Sequence, residues 1–117
     1  MAEECVFCKI AKEKLPVNLL YENDNFFSIP DANPVLDGHT LVISKKHFSN
    51  TLDLPNSLGS EFLNCIKETS MVLIQEKKAE GFNIVGNNFK VAGQIVNHFH
   101  VHIFPRKKGD GELKFVK

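Results

Sequence analysis

Apolar and polar positions alternate most strictly in "NHFHVHIFPR", residues 97–106, where His98, His100 and His102 take every second place and Phe99, Val101 and Ile103 the places between. A period of two belongs to a β-strand, whose successive side chains project to opposite faces. The three imidazoles therefore share one face, and the bulky apolar groups anchor the other on a core. "HTLVIS" repeats the pattern, with Leu41 and Ile43 on the face of His39 and with Thr40 and Val42 opposite. "FNIVGN" reads as a further strand, and "NLLYE" and "FFSIP" as a hairpin around the turn-forming "NDN". The last strand is expected over "IVNHFHVHIF", after the turn "NFKVAG". Two stretches switch to helical spacing. "CVFCKIAKEKL" sets Phe7, Ile10 and Ala11 opposite lysines and ends at Pro16, which predicts a short helix. From Pro55 to about Glu80, Leu58, Phe62, Cys65, Ile66 and Val72 or Leu73 form the stripe of one long helix, with Gly81 as its expected stop. Helix, strands, long helix, strands is the order of an α+β domain with a mainly antiparallel sheet.

A chain of 117 residues, 43% of them hydrophobic, suits a single domain over 1–117. Fourteen basic and fourteen acidic residues cancel, so the basic balance of a nucleic-acid binder is absent and no net repulsion opposes a homo-oligomer. No apolar run is long enough for a bilayer and the start "MAEECVFCKI" lacks a signal-peptide pattern. The expectation is a soluble cytoplasmic protein, with the nucleus also open to it and no membrane partner. Three cysteines in such a chain argue against a disulfide framework. The charged, glycine-containing tail 106–117 is expected over the surface or a neighbouring subunit.

Imidazole titrates near neutrality and can act as nucleophile, general acid, general base or metal ligand. Three alternating histidines leave three readings: a structural or solvated strand face, a catalytic metal site on the H-x-H spacing, or nucleophilic attack on phosphorus with neighbouring imidazoles managing protons. Cys5 and Cys8 have the spacing of half a tetrahedral zinc site, and equally of two reduced, partly buried thiols. No thioredoxin-like βαβ pattern surrounds them, which disfavours a redox pair. Asp31, in "PDANP", can cap a turn or accept from vicinal hydroxyls. Cys65 lies on the helix stripe and reads as core.

"HFHVHIF" resembles the H-φ-H-φ-H-φ-φ signature of the histidine-triad (HIT) superfamily, φ being apolar. "CVFCKI", "DGHTLVISKKH", "GFNIVGNN" and "AGQ" stand in the order and spacing of its small nucleotide-binding, Hint-like branch, so the resemblance runs from Cys5 to about Gly111. It implies a homodimer whose long helices pair and whose sheets join into one. It implies that His100 attacks the α-phosphorus of a nucleoside phosphoramidate or related nucleotide, that a nucleotidyl-imidazole forms, and that water hydrolyses it to AMP or GMP. His102 would serve the α-phosphate and leaving group, with His39 supporting that side. His100 attacks only as neutral imidazole, so at its ordinary pKa activity would fall below about pH 6. Gln94 matches a glutamine near the leaving-group oxygen and Asn87 an asparagine beside the phosphate, with a backbone N–H near Ile95 or Val96 as a further donor. Asp31 matches the acid holding the ribose hydroxyls. Phe7, Ile10, Ile29 and Leu41 match the apolar slot for the base, though without the resemblance all four read as core.

The resemblance also supplies partners for the cysteines: His47, in "SKKH", and His98, completing one structural zinc site per chain and taking His98 out of acid–base work. No organic cofactor is implied. One departure stands out. Ser or Thr usually follows the "GQ", and this chain has Ile95, which removes a hydroxyl donor and opens substrate preference and rate to change. Readings from other classes are a dinucleoside polyphosphate hydrolase, a nucleotide-binding interaction protein with incidental catalysis, and a metalloenzyme using all three histidines.

Overall fold

The computed structural model describes residues 5–12 and 17–111. A short helix α1, Val6–Ala11, precedes the strands β1, Tyr21–Glu22, β2, Phe26–Pro30, and β3, Thr40–Ser44. The long helix α2, Gly59–Lys77, follows, and then β4, Gly81–Val85, and β5, His100–Arg106. The strands form one five-stranded sheet in the order β1-β2-β3-β5-β4, antiparallel at every junction. This is the expected α+β architecture.

The two faces of the sheet are covered differently. Ile29 pairs with Leu41 and Leu41 with His102, while Phe27 pairs with Ile43 and Ile43 with His100. Those rows lie on the face under α1, where Phe7 joins Phe27, Ile29, Leu41 and Ile43 in one apolar cluster. Phe26, Val42, Phe99, Val101 and Ile103 occupy the other face and pack with Cys65, Ile66 and Leu73 of α2. The helix stripe thus buries as its spacing predicts, with Leu58 and Phe62 at its half-buried edge. Two hydroxyls cross this apolar layer: Thr69 donates to the Ser28 hydroxyl at 2.7 Å, both side chains being fully buried.

Several boundaries differ from the sequence reading, each for a local reason. The long helix begins at Gly59, because Pro55 starts a single 3-10 turn over Asn56–Leu58 instead of the α-helix. It stops at Lys78, whose left-handed φ of 54° ends the helical path; Gly81 already belongs to β4. "NLLYE" contributes only Tyr21 and Glu22 to the sheet. The last strand begins at His100 and not at Ile95, since β3 ends opposite it. His98 and Phe99 nevertheless keep the alternation, and both are buried. Pro16, the expected stop of α1, and the tail beyond Gly111 lie outside the described residues; the helix itself ends at Ala11. Among the described residues no helix is long and apolar enough to cross a membrane.

Gly38 is required where the loop after β2 turns back into β3. Its φ is +89°, and a Cβ there would stand 2.5 Å from Cγ of Pro105. The close approach of backbone to β5 lets His39 enter the histidine face.

Ile103 is fully buried between the sheet and α2. Ile103→Ala is expected to cost about 2–5 kcal/mol in urea unfolding. Leu52→Ala, at an 80% exposed site, should stay within about 0.5 kcal/mol.

Candidate active site and metal-ligand cluster

The cross-strand rows bring His39, His100 and His102 to one wall of a cavity of about 510 Å³, whose lining includes Phe7, Ile10, Ile29 and Leu41. Asp31, Ile95 and Val96 border the same cavity. All four proposed base-slot residues therefore line one space with His100 and His102, while three of them also pack in the α1-side core. The slot and the core are one cluster seen from two sides.

Hydrogen bonds assign a role to each ring nitrogen. His100 Nδ1 lies 2.7 Å from the carbonyl of His98, so it must carry the proton and donate, leaving Nε2 with a lone pair. His39 Nδ1 accepts from the backbone N–H of Val35 at 3.1 Å, so its proton is on Nε2. That Nε2–H faces His102 Nδ1 at 2.9 Å and Asp31 Oδ2 at 3.4 Å. His102 must then accept on Nδ1 and carry its proton on Nε2. The wall thus offers one imidazole with a free lone pair, His100, beside one N–H donor, His102, their ring centroids 5.3 Å apart.

Burial pushes His100 below the usual histidine range, against the opposing effects of the His98 carbonyl and the Asp31 charge. Burial, then the neighbouring imidazoles of His100 and His39, push His102 down to about 4. His39 is lowered by burial too, with Asp31 opposing. The cluster is therefore neutral at physiological pH. Asp31 caps its turn, Oδ1 accepting from Asn33 N–H at 2.9 Å, while Oδ2 faces His39. Asp31, His39 and His102 lie close enough together to suggest a metal site. Because Val35 holds the His39 proton on the inward nitrogen, this group is a hydrogen-bonded chain instead.

A second constellation sits behind His100. Cys5, Cys8, His47 and His98 bring four ligand atoms close enough to hold a metal ion. His98 Nε2 donates to the Ser44 carbonyl at 2.6 Å, which leaves Nδ1 unprotonated and facing the thiols. Nδ1 of His98 lies 3.3 Å from Cys5 Sγ, 3.5 Å from Cys8 Sγ and 3.2 Å from His47 Nδ1. Cys8 Sγ and His47 Nδ1 are 3.2 Å apart. In a tetrahedral site with bonds of ~2.3 Å to sulfur and ~2.0–2.1 Å to nitrogen, geometry puts S···N at roughly 3.5 Å and N···N at roughly 3.3 Å. The separations match the edges of that tetrahedron.

Gln94, read beside the leaving-group oxygen, and Asn87, read beside the phosphate, are buried and lie outside the lining of the histidine cavity; Gln94 lines a cavity that adjoins it. Both ends of the Gln94 amide are engaged with backbone: its oxygen accepts from Phe89 N–H at 2.7 Å, and its nitrogen donates to the carbonyls of Ser49 and Val96. In this arrangement it braces the loop 89–96. Three participants escaped the sequence reading. Phe104 stacks on His102 at 10° between planes and lies 4.2 Å from the His39 ring. Extending the period of two by one step beyond His102 would have found it. The Val35 N–H and the Ser44 carbonyl carry no side-chain signal at all.

An antiparallel α+β sheet that presents alternating, tautomer-fixed imidazoles beside an apolar slot defines a histidine-triad protein. The chain belongs to the HIT domain family, whose model matches residues 12–109. It is 43% identical over 109 residues to an uncharacterized HIT-like protein of Methanocaldococcus jannaschii, covering 93% of this chain and 84% of that one. It is 34% identical over 107 residues to adenosine 5′-monophosphoramidase HNT1 of Candida albicans, covering 88% of this chain and 70% of the relative. The crystal structure of a HIT family protein from Bacillus subtilis superposes with a TM-score of 0.86 at 35% identity, covering 97% of this chain and 82% of the other.

The folded pKa of His102 lies below its unfolded value, so the unfolded chain binds more protons between about 6.5 and about 4. Stability should therefore fall as pH drops through that window and level off beneath it, by on the order of 3 kcal/mol for this ring alone. Thermal melts from pH 7.5 to 4 check this, and His102→Gln should flatten the profile.

Proposed function

We propose that the protein is a nucleotide hydrolase that cleaves nucleoside phosphoramidates at the α-phosphorus through a nucleotidyl-histidine. The observation that carries the reading is the tautomer pattern: a lone pair on His100 Nε2 next to an N–H on His102 Nε2, both at an apolar cavity. The purine enters the slot of Phe7, Ile10, Ile29 and Leu41, and Asp31 accepts from the ribose hydroxyls. A slot of this kind grips by packing, so AMP and GMP derivatives both fit. His100 Nε2 attacks phosphorus, the P–N bond breaks, and the amine leaves with the proton of His102. In the second step a water gives a proton to His102 as its oxygen attacks, and the P–N bond to His100 breaks to release the nucleoside monophosphate. His39 supports each transfer by holding His102 in the donating tautomer. The relative HNT1 of Candida albicans is an adenosine 5′-monophosphoramidase, which fits the same bond.

Zinc suits the Cys5, Cys8, His47 and His98 set, since thiolates and imidazoles in a tetrahedron are its preferred ligands. Four protein ligands leave no open position, so its part is structural: it ties α1 to the strand carrying His100. A homodimer fits the exposed edge as well. β4 leaves one edge unpaired with Phe82 and Ile84 exposed, and α2 exposes Leu63 and Met71.

AMP release from adenosine 5′-phosphoramidate, with diadenosine polyphosphate as competitor, tests the function. Wild type should turn over the phosphoramidate and His100→Asn should lose at least about a thousandfold. Preference for the dinucleotide would move the reaction to polyphosphate hydrolysis, and binding of AMP without turnover would leave a binding module. For the metal, elemental analysis should find about one zinc per chain, and Cys8→Ala should lose metal and thermal stability together. Full metal retention in that variant would remove the four-ligand assignment.

A further inference from the structure

A second cavity, of about 730 Å³, abuts the histidine cavity, and the two share Gly93 and Ile95 as a common wall. Its other lining residues are Phe89 and Lys90, with Ser49, Asn50, Gln94 and Asn97 supplying neutral polar groups and no carboxylate. The loop between them is unusually apolar for its exposure: Val91 is 99% exposed, Ile95 76% and Phe89 54%. Phe89 moreover holds a φ of +73°, a conformation in which a bulky side chain is strained and glycine is at ease. The loop keeps that shape because the Gln94 oxygen accepts the Phe89 N–H and the Gln94 nitrogen spans to Ser49 and Val96. Strain of this kind persists where surroundings over-determine it, and it clusters at functional sites.

Resting on the function proposed above, we infer that this second cavity receives the leaving group, and that it selects amines carrying an aromatic or branched apolar group, with an anionic substituent preferred to a cationic one. The substrate has two ends. With the base in the slot beside Phe7 and phosphorus at His100, the nucleoside fills the first cavity. In phosphoryl transfer the leaving atom lies roughly opposite the attacking one. The departing amine is thus directed away from the nucleoside, and the space across Gly93 and Ile95 adjoins the first cavity to receive it. There Phe89 and Ile95 supply apolar walls, and Lys90 is the charged group in the lining. Ile95, standing where a hydroxyl residue is usual, adds to this apolar wall.

The experiment compares kcat/KM for three adenosine 5′-phosphoramidates: of ammonia, of 2-phenylethylamine and of phenylalanine joined through its nitrogen. Wild type should favour the phenylethyl substrate over the ammonia one by roughly 10–200-fold, the range for a single apolar group in a pocket. The phenylalanine substrate should be better still. Phe89→Gly, which relieves the strained φ, should abolish most of that preference while turnover of the ammonia substrate stays unchanged. Lys90→Glu should put phenylalanine below phenylethylamine. Robust turnover of the ammonia substrate with no preference for the apolar amines in wild type would overturn the inference and leave the proposed function standing. No turnover of any of the three would remove the proposed function, and this inference with it.

Discussion

Slipping β5 by one residue against β3 would turn His100 and His102 toward α2 and bring Val101 and Ile103 into the cavity. The whole site depends on that register, in which Leu41 faces His102 and Ile43 faces His100. What holds it is burial on both faces. Val42, Val101 and Ile103 are locked into the layer beneath α2, while Leu41 and Ile43 pack under α1. A one-residue slip of β5 would take Val101 and Ile103 out of the layer beneath α2 and put His100 and His102 into it, so the apolar half of the alternation is what aims the chemical half.

From that register the tautomers follow by hydrogen bonds to backbone. The carbonyl of His98 takes the Nδ1 proton of His100, the carbonyl of Ser44 takes the Nε2 proton of His98, and the N–H of Val35 sets His39, which in turn sets His102. The partners of His98, His100 and His39 are main-chain groups, fixed relative to their strand or turn, and His102 takes its tautomer from the His39 ring. Successive histidines of the alternation are therefore assigned opposite tasks: His98 presents Nδ1 to the cysteines, and His100 presents Nε2 to the cavity. Phe7 meets the edges of both rings, at centroid distances of 5.6 Å for His98 and 5.1 Å for His100, and so couples the position of α1 to both sites.

The loop 89–96 shows the same economy with a different device. A buried glutamine, satisfied by backbone groups, braces the 3-10 turn over Lys90–Ala92 and fixes a strained phenylalanine at the surface. The side chains of Phe89, Lys90 and Val91 belong to neither buried cluster, whereas Val96 at the end of the loop packs against the one under α1.

The alternation of histidines with Phe99, Val101 and Ile103, the stripe of the long helix and the C-x-x-C spacing were all written in the local pattern. Periodicity determines which residues share a face, and residues sharing a face are most of what a strand-borne site needs. Helix ends were less legible, because Lys78 stops α2 with a left-handed backbone for which lysine has no preference. The convergence of Cys5 and Cys8 with His47 and His98 was reached through family likeness, since residues up to 93 positions apart meet only once the sheet and α1 are assembled. Gln94 marks the same boundary. Its place in "AGQ" suggested the leaving-group side of the site; that the backbone of Phe89, Ser49 and Val96 also holds its amide could not be read from the sequence, because hydrogen bonds to backbone leave no trace in side-chain identity. Which residues share a face was determined by local order along the chain; which nitrogen carries the proton, and which space each loop closes, was decided only by the folded arrangement of main-chain donors and acceptors.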